Sequence, residues 1–275
     1  MNKKKVNFQK NKFVSARSSK QTINKNKRTE SSRRWLSRQL NDPYVSEAQK
    51  RGFRSRSAFK LLQIDEKFHL FKSGMNIIDL GCAPGGWLQV ISEIINKNKK
   101  GKIIGIDLLE TDALPNVEIL VGDINDQKII DQVNVFFNGE KVNGVVSDMA
   151  ADTTGHKATD HIRTTMLLEE AIDIALNFLK EGGFFIGKCF KGGAEAGVLK
   201  ILNKSFRVVK HVKPDASRKE SVESYVLAMD FKMNEDGIVF NDSSSVWMPL
   251  SLRGAEIVAV QSIASSPLAK NFWLK

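Results

Sequence analysis

From residue 75 onward the chain alternates short, almost wholly apolar segments with amphipathic ones, and this alternation restricts the fold more than any other feature. The apolar segments are residues 75–80, 102–107, 117–121, 144–148, 183–190, 206–211 and 224–231. Strands that are apolar on both faces need cover on both faces, and helices between successive strands supply it. Helical periodicity fills the gaps at 87–96, 126–136, 163–179 and 194–203. The expected fold is α/β, a doubly wound, mostly parallel sheet of seven strands. The gap between His211 and Ser224 is too polar and short for a packed crossover helix. That predicts a hairpin of the last two strands, with the final strand antiparallel.

Ahead of the sheet, residues 31–50 read as helical, with an interruption at Asp42-Pro43. The basic break Arg51-Gly52-Phe53-Arg54-Ser55-Arg56 follows, and Ser57 opens a helix expected to end near residues 71–74. Charge is unevenly distributed. Residues 1–60 hold 18 Lys and Arg against three acids, a net +15, whereas the remainder of the chain is net −4. An asymmetry of this kind points to a polyanionic partner, most often nucleic acid. The division expected is a basic, disordered tail at 1–30, a working domain at 31–231, and an appendage outside the sheet at 232–275.

Several classes are disfavoured. No apolar run approaches the roughly 20 residues of a membrane helix. Met1 to Lys5 is polar and basic with no apolar stretch behind it, which does not read as a secretory signal. The two cysteines, Cys82 and Cys189, sit in apolar, strand-like contexts and read as reduced thiols of a cytoplasmic protein. The four histidines are scattered, and no Cys/His group has metal spacing, so no metal is expected. Nothing demands more than a monomer.

A ligand site is indicated where the first strand ends, in Asp79-Leu80-Gly81-Cys82-Ala83-Pro84-Gly85-Gly86-Trp87. Glycines there permit a tight turn and close backbone approach, at the carboxyl end of a strand where open α/β sheets bind ligands. Asp107 ends the second strand and could accept both hydroxyls of an adenosine ribose. Two cofactors fit that outline. A dinucleotide such as NAD needs a phosphate cradle of glycine amides, but here Pro84 offers no N–H and the Gly-x-Gly-x-x-Gly spacing is absent. S-adenosylmethionine carries a sulfonium and an ammonium, and acids suit it. Asp79, Asp107, Asp123 and Asp148 all fall at strand ends, and Asp123 could accept an adenine amino group. The balance favours S-adenosylmethionine, with NAD kept as the alternative.

Methyl transfer to a hydroxyl needs a base, and a lysine serves when burial or a neighbouring cation depresses its pKa. Lys60, in Phe59-Lys60-Leu61, and Lys188, in Gly187-Lys188-Cys189, both lie in apolar contexts. Lys188 is expected at the same rim of the sheet as Asp148.

Arg54-Ser55-Arg56-Ser57-Ala58-Phe59-Lys60-Leu61, the Asp79–Trp87 loop, Ser147-Asp148-Met149-Ala150, Gly187-Lys188-Cys189-Phe190 and Glu223-Ser224-Tyr225-Val226 together resemble the FtsJ/RrmJ (RlmE) family of ribosomal RNA 2′-O-methyltransferases. The resemblance covers about residues 31–231. It implies a catalytic tetrad of Lys60, Asp148, Lys188 and Glu223, with Lys188 as general base. Asp148 would stand beside the sulfonium and Lys188, and Lys60 and Glu223 would orient the ribose. It also implies cofactor contacts from Gly85, Trp87, Asp107, Asp123 and Asp148. The implied substrate is a uridine 2′-hydroxyl of large-subunit ribosomal RNA in the assembled subunit. Arg33, Arg34, Lys50, Arg51, Arg54 and Arg56 would meet phosphates, and Lys213-Pro214-Asp215-Ala216-Ser217-Arg218 would lie near the RNA. Ala151 departs from the family, which often has Pro there. Transfer RNA or an mRNA cap remains an alternative acceptor, and a non-catalytic ribosome-assembly factor an alternative role.

Overall fold

A computed structural model of the chain describes residues 37, 40–97, 101–151, 154–190, 195–218 and 220–233. The basic tail, Arg33, Arg34 and nearly all of the C-terminal appendage lie outside the described residues.

Seven strands form one sheet: β1 (Ile77–Leu80), β2 (Ile103–Asp107), β3 (Glu118–Val121), β4 (Val142–Ser147), β5 (Leu179–Phe190), β6 (Phe206–Val212) and β7 (Glu223–Phe231). Six helices with bounds among the described residues accompany them: α1 (Pro43–Arg51), α2 (Ala58–Phe68), α3 (Gly86–Ile95), α4 (Gln127–Phe136), α5 (Lys157–Phe178) and α6 (Glu195–Ser205). The spatial order is β3-β2-β1-β4-β5-β7-β6. The pairs from β3 through β5 are parallel, and β7 runs antiparallel to both β5 and β6. The doubly wound, mostly parallel sheet is therefore as expected, and the hairpin is present. The hairpin folds back, however, so that β7 is inserted between β5 and β6 rather than added at the edge.

The sheet separates two cores. Ile78, Leu80, Val145, Phe185, Val226 and Ala228 pack on the face covered by α4, α5 and α6. Ile77, Val146, Ile186, Tyr225 and Leu227 pack on the opposite face, under α2 and α3. Side chains alternate along a strand. Asp79 therefore shares the face of Ile77, and Lys188 shares that of Ile186. Three polar strand residues, Asp79, Lys188 and Glu223, thus point to the side roofed by α2 and α3, whereas Cys189 and Ser224 point to the other. β7 enters the sheet where the parallel strands leave it, which brings Glu223 to their carboxyl rim; Glu223 pairs with Phe190, the last residue of β5.

Asp42-Pro43 interrupts the helical stretch: residues 37 and 40 are helical, Asp42 is not, and α1 starts at Pro43. The Asp42 carboxylate accepts the Tyr44 N–H at 3.0 Å, and Pro43 takes the first helical position, where a missing N–H costs nothing. Local differences from the sequence reading have physical causes. α2 stops at Phe68, short of residues 71–74. His69 turns left-handed at φ 53°, and Asp65 Oδ1 accepts the N–H groups of Leu70 and Phe71 at 2.8 and 3.0 Å. α5 begins at Lys157, six residues early, behind a His156 cap. β5 starts at Leu179 rather than residue 183 because Leu179 pairs with Val142 before a register shift. α1 is anchored by Tyr44, whose ring lies 5.4 Å from Phe59, and Phe59 meets Phe53 edge-on at 5.6 Å. No described helix is long and apolar enough to cross a membrane.

Candidate active site

Four charged side chains meet where β4, β5 and β7 reach the rim and α2 crosses them. Asp148 follows the last residue of β4, Lys188 lies near the end of β5, Glu223 opens β7, and Lys60 descends from α2. Lys188 Nζ is 2.8 Å from Asp148 Oδ1 and donates to the Asp148 carbonyl at 2.9 Å. Lys60 Nζ lies 2.9 and 3.0 Å from the two oxygens of Glu223 and 3.6 Å from Asp148 Oδ2. Lys188 and Glu223 complete the ring at 3.8 Å. Both ammonium side chains are less than 10% exposed, and both carboxylates are 16% exposed. The structure thus brings together all four residues expected to form the tetrad.

The charges gathered here hold Asp148 and Lys188 in their ionised forms. Burial alone raises the Asp148 carboxyl, but Lys188 and Lys60 outweigh it and hold the group below its ordinary value. Burial alone lowers Lys188, but Asp148 and Glu223 outweigh it and hold the ammonium above its ordinary value. A lysine depressed by its surroundings was the expectation. In the free protein the two carboxylates reverse that direction.

Tyr225 and Ser217 belong to this cluster and were not singled out from the sequence. The Tyr225 hydroxyl donates to Asp148 Oδ1 at 2.6 Å, and burial drives its own pKa well up. Ser217 donates to Glu223 Oε1 at 2.8 Å. The available signal was the two-residue spacing of Glu223 and Tyr225 on one strand face, which points both side chains the same way.

The glycine loop adjoins this cluster. Gly81 has φ 71°, and a Cβ there would lie 2.6 Å from Met149 Cγ and 3.0 Å from Met149 Cα. Gly85 has φ 104° and precedes α3 directly. Asp79 is fully buried with no hydrogen-bond partner on either carboxylate oxygen among the described residues. Burial, then the charges of Asp148 and Asp107, push its carboxyl well above its ordinary value. Asp107 Oδ2 accepts the Ala83 N–H at 2.8 Å and its Oδ1 accepts the Leu109 N–H at 2.9 Å, tying the loop to the end of β2. Asp123 is exposed, with Oδ1 accepting both amides of Asn125. The Trp87 indole turns inward: it is 2% exposed, donates to the Ser57 carbonyl at 2.9 Å and lies 5.7 Å from the Tyr225 ring. Among the described residues no His, Cys, Asp and Glu group could hold a metal.

Among the described residues, the basic stretch divides between exposed and inward-facing side chains. Lys50 and Arg51 are exposed on α1, Arg51 paired with Glu47 at 2.8 Å. Arg56 is instead internal. Its Nε meets Asp42 at 3.1 Å, its Nη2 donates to the Ala216 carbonyl, and Arg218 joins the same Asp42 oxygen at 3.6 Å. Arg54 donates to the carbonyls of Pro84, Asp112 and Ala113. These arginines brace loops, and their guanidinium groups are directed at the protein.

The rim of the parallel sheet thus joins a glycine turn, a strand-end acid and a buried Lys-Asp-Lys-Glu ring. A family model described as FtsJ-like methyltransferase matches residues 53–231, and the chain belongs to that family. It is 53% identical over 213 residues to a Mesorhizobium japonicum protein named Ribosomal RNA large subunit methyltransferase E, covering 76% of this chain and 78% of that one. A protein of the same name from Brucella ovis is 50% identical over 208 residues, covering 74% and 85%. The crystal structure of a ribosomal RNA methyltransferase from Plasmodium falciparum superposes with a TM-score of 0.60 at 31% identity, covering 65% of this chain and 98% of that one.

Proposed function

We propose that this chain is an S-adenosylmethionine-dependent methyltransferase that modifies the 2′-hydroxyl of a uridine ribose in large-subunit ribosomal RNA, in the assembled subunit. Residues 31–231 are the working unit in this reading, acting as a monomer in the cytoplasm. The observation that carries it is the buried ring of Lys60, Asp148, Lys188 and Glu223 beside the glycine loop. The names of the bacterial relatives support the ribosomal substrate.

The residues at the loop fit this cofactor. Asp79 is a buried carboxylate with no hydrogen-bond partner among the described residues, set among other acids, an arrangement that suits a cationic ligand and repels a pyrophosphate. Asp79 would receive the ammonium group, Asp107 the ribose hydroxyls and Asp123 the adenine amino group; each Asp107 oxygen keeps a free lone pair. Gly85 would allow close approach, and Trp87 would contribute through its backbone in the first turn of α3. When bound, the cofactor supplies an electrophilic methyl group on a sulfonium.

The remaining chemistry falls to the tetrad. A cation against Asp148 turns a balanced ring into a net positive one and lowers the proton affinity of Lys188. Neutral Lys188 would then take the proton from the ribose hydroxyl, leaving its oxygen nucleophilic. Lys60, held by both oxygens of Glu223, orients that ribose, and Glu223 later favours the reprotonated Lys188.

Mass-spectrometric mapping of 2′-O-methyl groups in RNA from cells lacking the protein tests the proposal. Loss of one uridine methyl group from large-subunit ribosomal RNA is the expected result. An unchanged ribosomal map with a lost transfer RNA or cap methyl group would replace the substrate. An unchanged map throughout would point to a non-catalytic assembly role.

A further inference from the structure

Arg54 lies in the basic stretch assigned from sequence to RNA phosphates, yet its guanidinium reaches three backbone carbonyls. Nη1 donates to Asp112 O at 2.7 Å and Pro84 O at 3.3 Å, and Nη2 donates to Ala113 O at 3.0 Å. Its backbone N–H donates to Gln89 Oε1 at 2.8 Å, and Gln89 Nε2 donates to the Gly52 carbonyl at 2.9 Å. The chain around Arg54 is thereby fixed to α3. The glycine loop leaves room for it. A Cβ on Gly85 would lie 2.6 Å from Arg54 Nη1 and 3.2 Å from its Cδ, and a Cβ on Gly86 would lie 3.1 Å from Ser55 Oγ.

Pro84 belongs to the loop between β1 and α3, and Asp112 and Ala113 belong to the β2–β3 connection. Asp107 already joins these loops, accepting one N–H from each. Arg54 joins them a second time, from a different segment of the chain. The guanidinium fork engages carbonyls on two loops from one plane with separate nitrogens; a lysine ammonium is shorter and presents its donors from a single atom.

We infer that Arg54 is a positioning residue for the cofactor rather than a phosphate contact: it holds the β1–α3 and β2–β3 loops at the spacing that admits S-adenosylmethionine. The inference rests on the cofactor assignment made above.

The test compares wild type, Arg54→Ala, Arg54→Lys and Lys50→Ala by calorimetric titration with S-adenosylmethionine and by filter binding to a large-subunit ribosomal RNA transcript. Loss of the charge-assisted bonds of Arg54→Ala weakens S-adenosylmethionine about tenfold or more, while RNA affinity changes less than about twofold. In turnover, the KM for the cofactor rises and kcat at saturating cofactor is retained. Arg54→Lys keeps the charge but does not restore cofactor affinity. Lys50→Ala, on the exposed face of α1, shows the opposite pattern. If Arg54→Ala lowers RNA affinity with cofactor affinity intact, or if Arg54→Lys binds the cofactor like wild type, the inference is overturned. Should neither Arg54 variant fold, it is also overturned, because the role claimed is local to two loops. A wild-type protein that binds no S-adenosylmethionine would instead sink the cofactor assignment.

Discussion

Lys188 and Tyr225 face each other across the antiparallel β5–β7 pair and converge on a single oxygen, Asp148 Oδ1, the ammonium at 2.8 Å and the phenol at 2.6 Å. Asp148 is therefore held by residues of β5 and β7, which lie on the same side of β4 in the sheet. Its orientation is set by the register of the sheet.

Removing the phenol tests that arrangement. Tyr225→Phe keeps the ring against Trp87 and deletes one bond to a buried carboxylate. Such a bond contributes about 1.5–3 kcal/mol, so a fall in the thermal midpoint of roughly 3–10 °C is expected for a domain of this size. Asp148 loses a donor that lowers its pKa, so the variant also becomes more sensitive to acid. Thermal melts between pH 4 and 8 check both statements.

The stability that Asp148 contributes has a defined sign. Its folded pKa is depressed, so the contribution is present above the unfolded value of about 3.9 and is lost as pH falls through the folded value. Lys188 is raised, so its contribution is present below about 10.4 and lost as pH rises through its folded value. Lys188→Met removes the alkaline limb of the stability profile, and a denaturant titration series across pH detects this. The same variant loses about 100-fold or more of methyl transfer if Lys188 is the base.

Glu223 helps keep Lys188 charged, so its neutralisation shifts the rate profile. Single-turnover methylation by wild type rises with pH as Lys188 loses its proton. In Glu223→Gln that rise moves to lower pH, because one of the two carboxylates raising Lys188 is gone. A profile that stayed in place, or moved to higher pH, would remove Glu223 from the tuning of Lys188.

Asp79 behaves in the opposite way in stability and in binding. Its raised pKa means that ionisation near neutral pH opposes folding, so Asp79→Asn raises the thermal midpoint of the free protein. The same change weakens S-adenosylmethionine, and it abolishes the rise in wild-type affinity with pH that accompanies Asp79 ionisation. Differential scanning fluorimetry with and without the cofactor measures both effects.

Gly81→Ala is a steric test of the loop. The new methyl group meets backbone as well as side-chain atoms of Met149, at a left-handed φ that costs a non-glycine residue about 1–3 kcal/mol. Displacement of Met149 drags Asp148 with it. Loss of activity greater than the loss of stability is the expected outcome, measured as kcat on a protein verified as folded.

The sheet and the glycine loop were legible because their signals are local: strand length, apolar continuity and turn residues all lie within ten or so positions. The Lys-Asp-Lys-Glu ring was legible through resemblance and through residue type at strand ends. The insertion of β7 between β5 and β6 was not, because a hairpin prediction concerns sequence neighbours and says nothing about which strand the hairpin docks against. Tyr225 reads as an ordinary core aromatic until its hydroxyl is seen to reach Asp148. Arg54 and Arg56 show a further limit. A basic residue in a sequence displays its charge, but not the carbonyl oxygen or the carboxylate, 58 residues away for Arg54 and Asp112, that engages it. The protonation of Lys188 depends on a balance between burial and two carboxylates from other strands, which no single segment contains.

The placement of Glu223 on the last strand has a consequence for synthesis. Lys60 and Glu223 are 163 residues apart in the chain and share two contacts in the site. A nascent chain that has already emerged through β5 holds the complete glycine loop, Asp148 and both lysines, with Lys188 and Lys60 lacking the carboxylate between them. The site closes only when β7 slots into the gap beside β5. The ring of charges is therefore complete only when the seventh strand, the last of the sheet, is in place.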